Sequence, residues 1–275
     1  MGYKTILVHA DHSKQSEVYT EAAIHLAKQL GAHLVALYVQ DPFYIPGYLL
    51  QAGQEISETQ KKFAAEELAR TKAVFENQAS NIDFNNAEWR STIDQPVEAV
   101  ARRARYADLV VVGQRDPADE SAMAKDFPAQ LVLAAGRPVL ILPYTGSFLN
   151  IGSRILIAWN GSREAARAIT DALPLLKTAD KVHLMAIYPK HSGLGDIPVD
   201  DIVQYLVRHS IQVEVSTDHV ANIDVGNALL SRAADLSADL LVMGGYGHSR
   251  LREWVLGGAT RLIVESMTVP VLMSH

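Results

Sequence analysis

The sequence predicts an α/β chain built from two tandem doubly wound sheets, each with five parallel strands. Three observations carry that expectation. The chain contains its own copy: Thr5-Ile6-Leu7-Val8-His9-Ala10-Asp11 aligns with Arg154-Ile155-Leu156-Ile157-Ala158-Trp159-Asn160 at an offset of 149. Two later blocks repeat in the same order, Ala107–Gly113 with Ala238–Gly244 at an offset of 131, and Arg137–Ile141 with Val269–Met273 at 132. Short apolar runs rich in Val, Ile and Leu alternate with segments of helical period, the pattern of parallel strands buried on both faces. Length agrees: 275 residues suggest two domains at roughly 150 residues each, although one large α/β barrel has a similar length.

Taken in order, the first copy gives strands near 4–10, 33–40, 86–92, 108–113 and 138–142. Between the first two, Val18, Ala22, Ala23, Leu26, Ala27 and Leu30 share one helical face, and Gly31 ends that helix. The polar, alanine-rich segment 54–80, with Phe63, Leu68 and Phe75 as its apolar side, reads as a long helix. That helix accounts for the 18 residues by which the offset drops between the first and second blocks. Pro143-Tyr144-Thr145-Gly146-Ser147 is a turn-rich linker, so the domains are expected at 1–146 and 151–275. The second copy gives strands near 154–159, 181–187, 211–216, 239–243 and 270–273, with helices near 163–177, 197–209, 225–237 and 258–267.

Composition removes several classes of function. With 48% hydrophobic and 20% charged residues the chain has a core and is not disordered. Its apolar runs, such as Leu109–Val112, are far short of the ~20 residues that span a bilayer, so no membrane partner is expected. The absence of cysteine excludes disulfides, thiolate metal sites and cysteine nucleophiles. No signal-like apolar segment follows Met1, and Ile6 stands where myristoylation wants Ser or Thr, so a cytoplasmic location is expected. A net charge of -6 gives no electrostatic footprint for nucleic acid.

Doubly wound sheets bind ligands beyond the carboxyl ends of their strands. In the second copy the fourth strand ends in Met243-Gly244-Gly245-Tyr246-Gly247-His248-Ser249-Arg250, and Gly257-Gly258-Ala259-Thr260 opens the following helix. Glycines let backbone approach a ligand closely, and a helix start offers free N–H groups to an anion, so this is physically a phosphate cradle. Glycines also end strands and cap helices with no ligand at all, and that reading stays open here.

The spacing Gly244-x-x-Gly247-x9-Gly257 at the end of a fourth strand resembles the nucleotide-binding signature of the universal stress protein family. The opening strand with its Asn160-Gly161-Ser162 turn and the closing Val269-Pro270-Val271-Leu272 belong to the same pattern, and the resemblance covers nearly the whole chain as a tandem pair. It implies a stress-response protein that binds ATP, or AMP or ADP, in the second domain, with magnesium accompanying the phosphates. By position, the resemblance assigns the adenine to Ala158, Trp159, Asn160 and Ile187, and the ribose border to Met243 and Gly244. It assigns the phosphates to Gly247, His248, Gly257, Gly258 and Ala259, with Thr260 as a possible hydroxyl. Two departures stand out: Gly258 replaces the usual Ser or Thr after the third glycine, and Asn160 replaces the usual Asp. The resemblance also implies that the fifth strands, Val139–Leu142 and Val271–Met273, join the two copies, and that the whole chain can form a homodimer.

The first copy departs further. After Gly113 come Gln114, Arg115, Asp116 and Pro117, and no glycine follows until Gly136. Asp116 repels a polyphosphate and Pro117 removes an N–H, so this copy is expected to have lost ATP. Its Phe43-Tyr44-Ile45-Pro46 stretch is expected to cover a pocket or shape an interface.

Other site chemistries find little support. There is no Gly-Lys-Ser/Thr loop, and Gly245-x-Gly247-x-x-Arg250 is one residue short of a dinucleotide fingerprint. Asp11-His12-Ser13 holds three triad residue types, but neighbours on one turn cannot form a relay. The histidines show no metal-ligand spacing; His191 and His248 read as solvated loop residues, Arg250 as a charged loop face and Trp254 as packing. With no general base beside the phosphate loop, the chain is at most a weak ATPase. Two functions remain: a regulatory nucleotide-binding stress protein, or a nucleotide-free protein that binds partners or another small ligand.

Overall fold

The structure, a computed structural model, describes residues 2–41, 55–119, 124–189, 199–220, 225–246 and 258–275. The first unit runs β1 (Thr5–Ala10), α1 (Ser16–Leu30), β2 (His33–Gln40), α2 (Glu55–Asn81), β3 (Ala87–Ile93), α3 (Pro96–Ala104), β4 (Leu109–Gly113), α4 (Phe127–Ala134) and β5 (Val139–Leu142). The second repeats the order with β6 (Arg154–Trp159), α5 (Arg163–Leu176), β7 (Lys181–Pro189), α6 (Val199–Arg208), β8 (Glu214–Val220), α7 (Val225–Asp235), β9 (Leu240–Gly244), α8 (Gly258–Ser266) and β10 (Val271–Ser274). The surplus of the first unit lies in α2, 27 residues long against 10 in α6. No helix among the described residues is long and apolar enough to cross a membrane.

Ten strands form one sheet in the order β3-β2-β1-β4-β5-β10-β9-β6-β7-β8. Each half is parallel throughout, with Leu7 opposite Val35 in the first and Leu156 opposite His183 in the second. The halves meet antiparallel at the centre, where Leu272 of β10 faces Leu140 of β5. Strand alternation divides the core in two. Ile6, Val8, Leu34 and Ala36 pack beneath α1 and α2, whereas Leu7, Leu37 and Val39 face α3 and α4.

One expected strand is displaced. The sequence places a strand near 211–216, but β8 begins at Glu214 and extends to Val220. Ile211 belongs instead to the end of α6. Ser210 adopts φ 65°, and the Ile211 N–H donates back to the Leu206 carbonyl at 3.0 Å while its side chain is buried. This is the helix-terminating pattern in which a left-handed residue turns an apolar successor back onto the helix. The same device ends α1 at Gly31-Ala32, α2 at Asp83-Phe84 and α7 at Ser237-Ala238, each with a bond spanning five residues.

Candidate ligand site

In the second unit the carboxyl ends of β6 and β9 and the start of α8 come together. Ile157 pairs with Val242, so Ala158–Asn160 and Met243–Tyr246 emerge side by side. The Tyr246 N–H donates to Thr260 Oγ1 at 3.4 Å, tying the exit of β9 to the first turn of α8. Ala158, Trp159, Asn160, Met243, Gly244, Gly258, Ala259 and Thr260 therefore share one end of the sheet. Ile187 lies in β7, the strand beside β6, but its side chain is outside the described residues. Gly247, His248 and Gly257 are outside them as well, as are His191, Arg250, Trp254 and the Phe43–Pro46 stretch.

The local chemistry follows from the Asn160-Gly161-Ser162 turn. Gly161 takes φ 72°, a conformation that suits glycine. Asn160 Oδ1 accepts from the Ser162 N–H at 3.1 Å, which leaves the Asn160 amide hydrogens as donors. Ser162 caps α5 by accepting from the Ala165 N–H at 3.1 Å. Trp159 is 9% exposed, and its indole Nε1 has no hydrogen-bond partner among the described residues. A buried donor left unmatched costs about 1–3 kcal/mol, so such a group marks a place where a partner is missing.

Thr260 is buried, and its hydroxyl oxygen already accepts from Tyr246. Its role in the fold is thus to hold the β9 exit. Tyr246 adopts φ 60°, and its buried phenol oxygen has no partner among the described residues; burial pushes its pKa up to about 12. Among the described residues, a Cβ on Gly258 would meet nothing within 4 Å. Gly244 is different: a Cβ there would sit 2.6 Å from the Ala165 nitrogen. Close strand–helix packing alone requires that glycine.

Glu164 is a neighbour the sequence reading missed. It is 4% exposed at the start of α5, against Gly244, and accepts from Arg163 Nε at 2.5 Å. Burial raises its pKa, but the Arg163 hydrogen bond and charge outweigh this and hold it below the ordinary carboxylate value. Only its place in the first helical turn, beside a glycine distant in sequence, could have singled it out.

The equivalent end of the first unit is filled. The Tyr19 ring lies against Gly113, where a Cβ would fall 1.7 Å from a ring carbon, and its hydroxyl donates to the Gln114 carbonyl at 2.9 Å. Aligning Pro138 with Pro270 sets Asp126-Phe127-Pro128 where the second unit has Gly258-Ala259-Thr260. Phe127 is buried against His9, ring centroids 5.0 Å apart. Asp11 Oδ1 is taken by the Ser13 N–H and hydroxyl at 2.9 and 2.5 Å, so Asp11 and Ser13 form a local turn and no relay. The cavity left among Asp11, Tyr19, Gln114 and Pro128 is about 10 Å³, the room one water needs. Among the described residues no group of three His, Asp or Glu side chains could hold a metal ion.

Comparison with known proteins agrees with this architecture. The model of the universal stress protein family matches the chain twice, over residues 2–143 and 153–275. Universal stress protein Slr1230 of Synechocystis is 22% identical, over 98% of this chain and 99% of its own length. The crystal structure of a universal stress protein from Archaeoglobus fulgidus superposes with a TM-score of 0.72 at 18% identity, covering 98% of this chain and 95% of that one. A further crystal structure, of a chain from Pseudomonas aeruginosa UCBPP-PA14, gives a TM-score of 0.60 at 15% identity, with 99% and 93% covered. Two matches in tandem over nearly the whole length, on a doubly wound fold, place the chain in the universal stress protein family.

Proposed function

We propose that the second unit binds an adenine nucleotide, ATP or its AMP or ADP relatives, as a regulatory ligand and not as a substrate for turnover. One observation carries the reading: two homologous units differ in the size of the side chains placed at their ligand ends. Tyr19 and Phe127 pack at the first, whereas the aligned positions of the second hold Ala168 and Ala259. The orphaned Trp159 indole and the free Asn160 amide hydrogens supply donors suited to a base edge. The α8 start, with no acid in its first turn and no side chain on Gly258, suits phosphate. Glu164 offers a carboxylate acceptor for ribose hydroxyls. Magnesium would be held through the phosphates, since the described residues offer no acid cluster for it. Glu164 is engaged by Arg163, which is why a regulatory role suits the site better than hydrolysis.

The test is identification of the small molecule released when the purified protein is denatured, together with nucleotide titration. The comparison is with Gly258→Asp, which installs the first unit's Asp126 where a Cβ meets no obstacle. Adenine nucleotide from the parent chain, reduced about tenfold or more in the variant, is the expected result; repulsion of a phosphate by a carboxylate supplies that much. Equal release from both chains removes the site assignment. No nucleotide released and none bound on titration leaves the nucleotide-free function.

A further inference from the structure

The amino ends of β1, β2 and β3 in the first unit carry a second surface, far from the filled ligand end. A groove of about 550 Å³ runs there, with Leu7 and Val35 in its floor and Arg90, Arg103 and Tyr106 on its walls. A neighbouring hollow of about 260 Å³ shares Arg103 and Tyr106 and adds Thr92, Arg102 and Arg105. Arg90 and Thr92 lie two apart on β3 and so face the same side, which sets the hollows in line along the strand. β3 is also an edge of the ten-stranded sheet.

Charge defines what the groove can take. Arg90 pairs with Glu88 at 2.6 Å and Arg102 pairs with Asp94, but Arg103 and Arg105 are exposed with no carboxylate partner among the described residues. Tyr106 is 81% exposed, a large aromatic that packs on nothing in the core. The fold does not require these residues. The aligned positions of the second unit are Ser216 for Arg90, Ala234 for Arg103, Leu236 for Arg105 and Ser237 for Tyr106. A cationic, partly apolar groove on a chain of net charge -6 is therefore a local feature of one unit.

We infer that this groove docks an extended, acidic peptide segment of a partner protein. Two hollows in line along an edge strand match the alternate side chains of an extended chain, and the apolar floor accepts one aliphatic residue between acidic ones. A nucleic-acid strand fits less well, because its backbone offers no aliphatic side chain for the floor of Leu7 and Val35.

The probe is a fluorescein-labelled peptide Glu-Glu-Leu-Glu-Glu-Glu, titrated with the full chain at low salt and followed by anisotropy. Saturable binding is expected, weakened about tenfold or more by R103E/R105E and also reduced by Y106A. Gly258→Asp is expected to leave it unchanged, which separates this surface from the nucleotide reading. No saturable binding overturns the inference, as does equal binding by R103E/R105E with an unaltered circular dichroism spectrum. Tighter binding of an eight-nucleotide single strand, or full displacement of the peptide by glutarate at equal concentration, overturns it in favour of a nucleic acid or a small organic anion.

Discussion

Gln114 of the first unit donates from Nε2 to the carbonyl of Val264 in α8 of the second, 2.8 Å away and fully buried. Its Oε1 accepts from the Tyr144 N–H at 3.2 Å, and its own carbonyl accepts the Tyr19 hydroxyl. Gln114→Ala strips partners from a buried carbonyl and a part-buried N–H and is expected to cost about 1–3 kcal/mol. Urea denaturation should show a lower midpoint at an unchanged slope; an unaltered midpoint would mean that water replaces the amide without loss.

Gly113 and Tyr19 are sterically interdependent. Gly113→Ala puts a methyl group inside the Tyr19 ring and should destabilise by about 1–3 kcal/mol. The double variant Gly113→Ala/Tyr19→Ala should recover part of that cost relative to the sum of the single changes. A double-mutant cycle with no coupling would remove the contact as the reason for the glycine.

Alkali should reveal four buried phenols. Burial is the leading cause that pushes Tyr38 and Tyr246 up to about 12 and raises Tyr3 and Tyr19 further. The unfolded chain ionises near pH 10, so their contribution is complete below that and is lost as pH rises through the folded values. Absorbance of tyrosinate at 295 nm should therefore lag behind that of the urea-unfolded chain, with stability falling from about pH 10 upward. Superimposable titration curves would contradict the packing described for these rings.

Acid should act through His9. Burial lowers its pKa, Asp11 opposes the shift, His12 reinforces it, and Nε2 has no hydrogen-bond partner. The unfolded chain takes up this proton first, so stability declines as pH falls below about 6.5. His9→Leu should flatten that decline in urea denaturation at pH 7.5 and 5.5. An unchanged pH dependence would assign the acid sensitivity elsewhere.

The repeat made most of the fold legible, because doubly buried strands write themselves as apolar runs: Leu109–Val112 and Leu240–Met243 lie within β4 and β9. Ile211 misled for the opposite reason, since a helix-capping residue buried from solvent looks like the start of a strand. The site was legible only as a glycine pattern. That pattern mixes two causes: Gly113 and Gly244 are both needed for helix packing, whatever is bound, while a Cβ on Gly258 would touch nothing among the described residues. Tyr19 filling the first unit's ligand end, Glu164 behind Gly244 and the stranded Trp159 indole depend on contacts between residues far apart in sequence. No local spacing encodes them. The arginines of the groove come from β3 and α3, separate elements that only the folded sheet sets side by side.

The antiparallel join of β5 and β10 also decides which surfaces share a side of the molecule. Within each half the strands run the same way, so reversing one half places the amino ends of β1 and β2 on the side where β6 and β9 finish. The Tyr3 hydroxyl, just before β1, donates to the Asp171 carbonyl within α5 at 2.6 Å, consistent with that inversion. At the join itself the amino end of β5 therefore lies beside the carboxyl end of β10. One continuous chain holds the two halves in that inverted pairing from the outset, which two unlinked copies would reach only after finding each other.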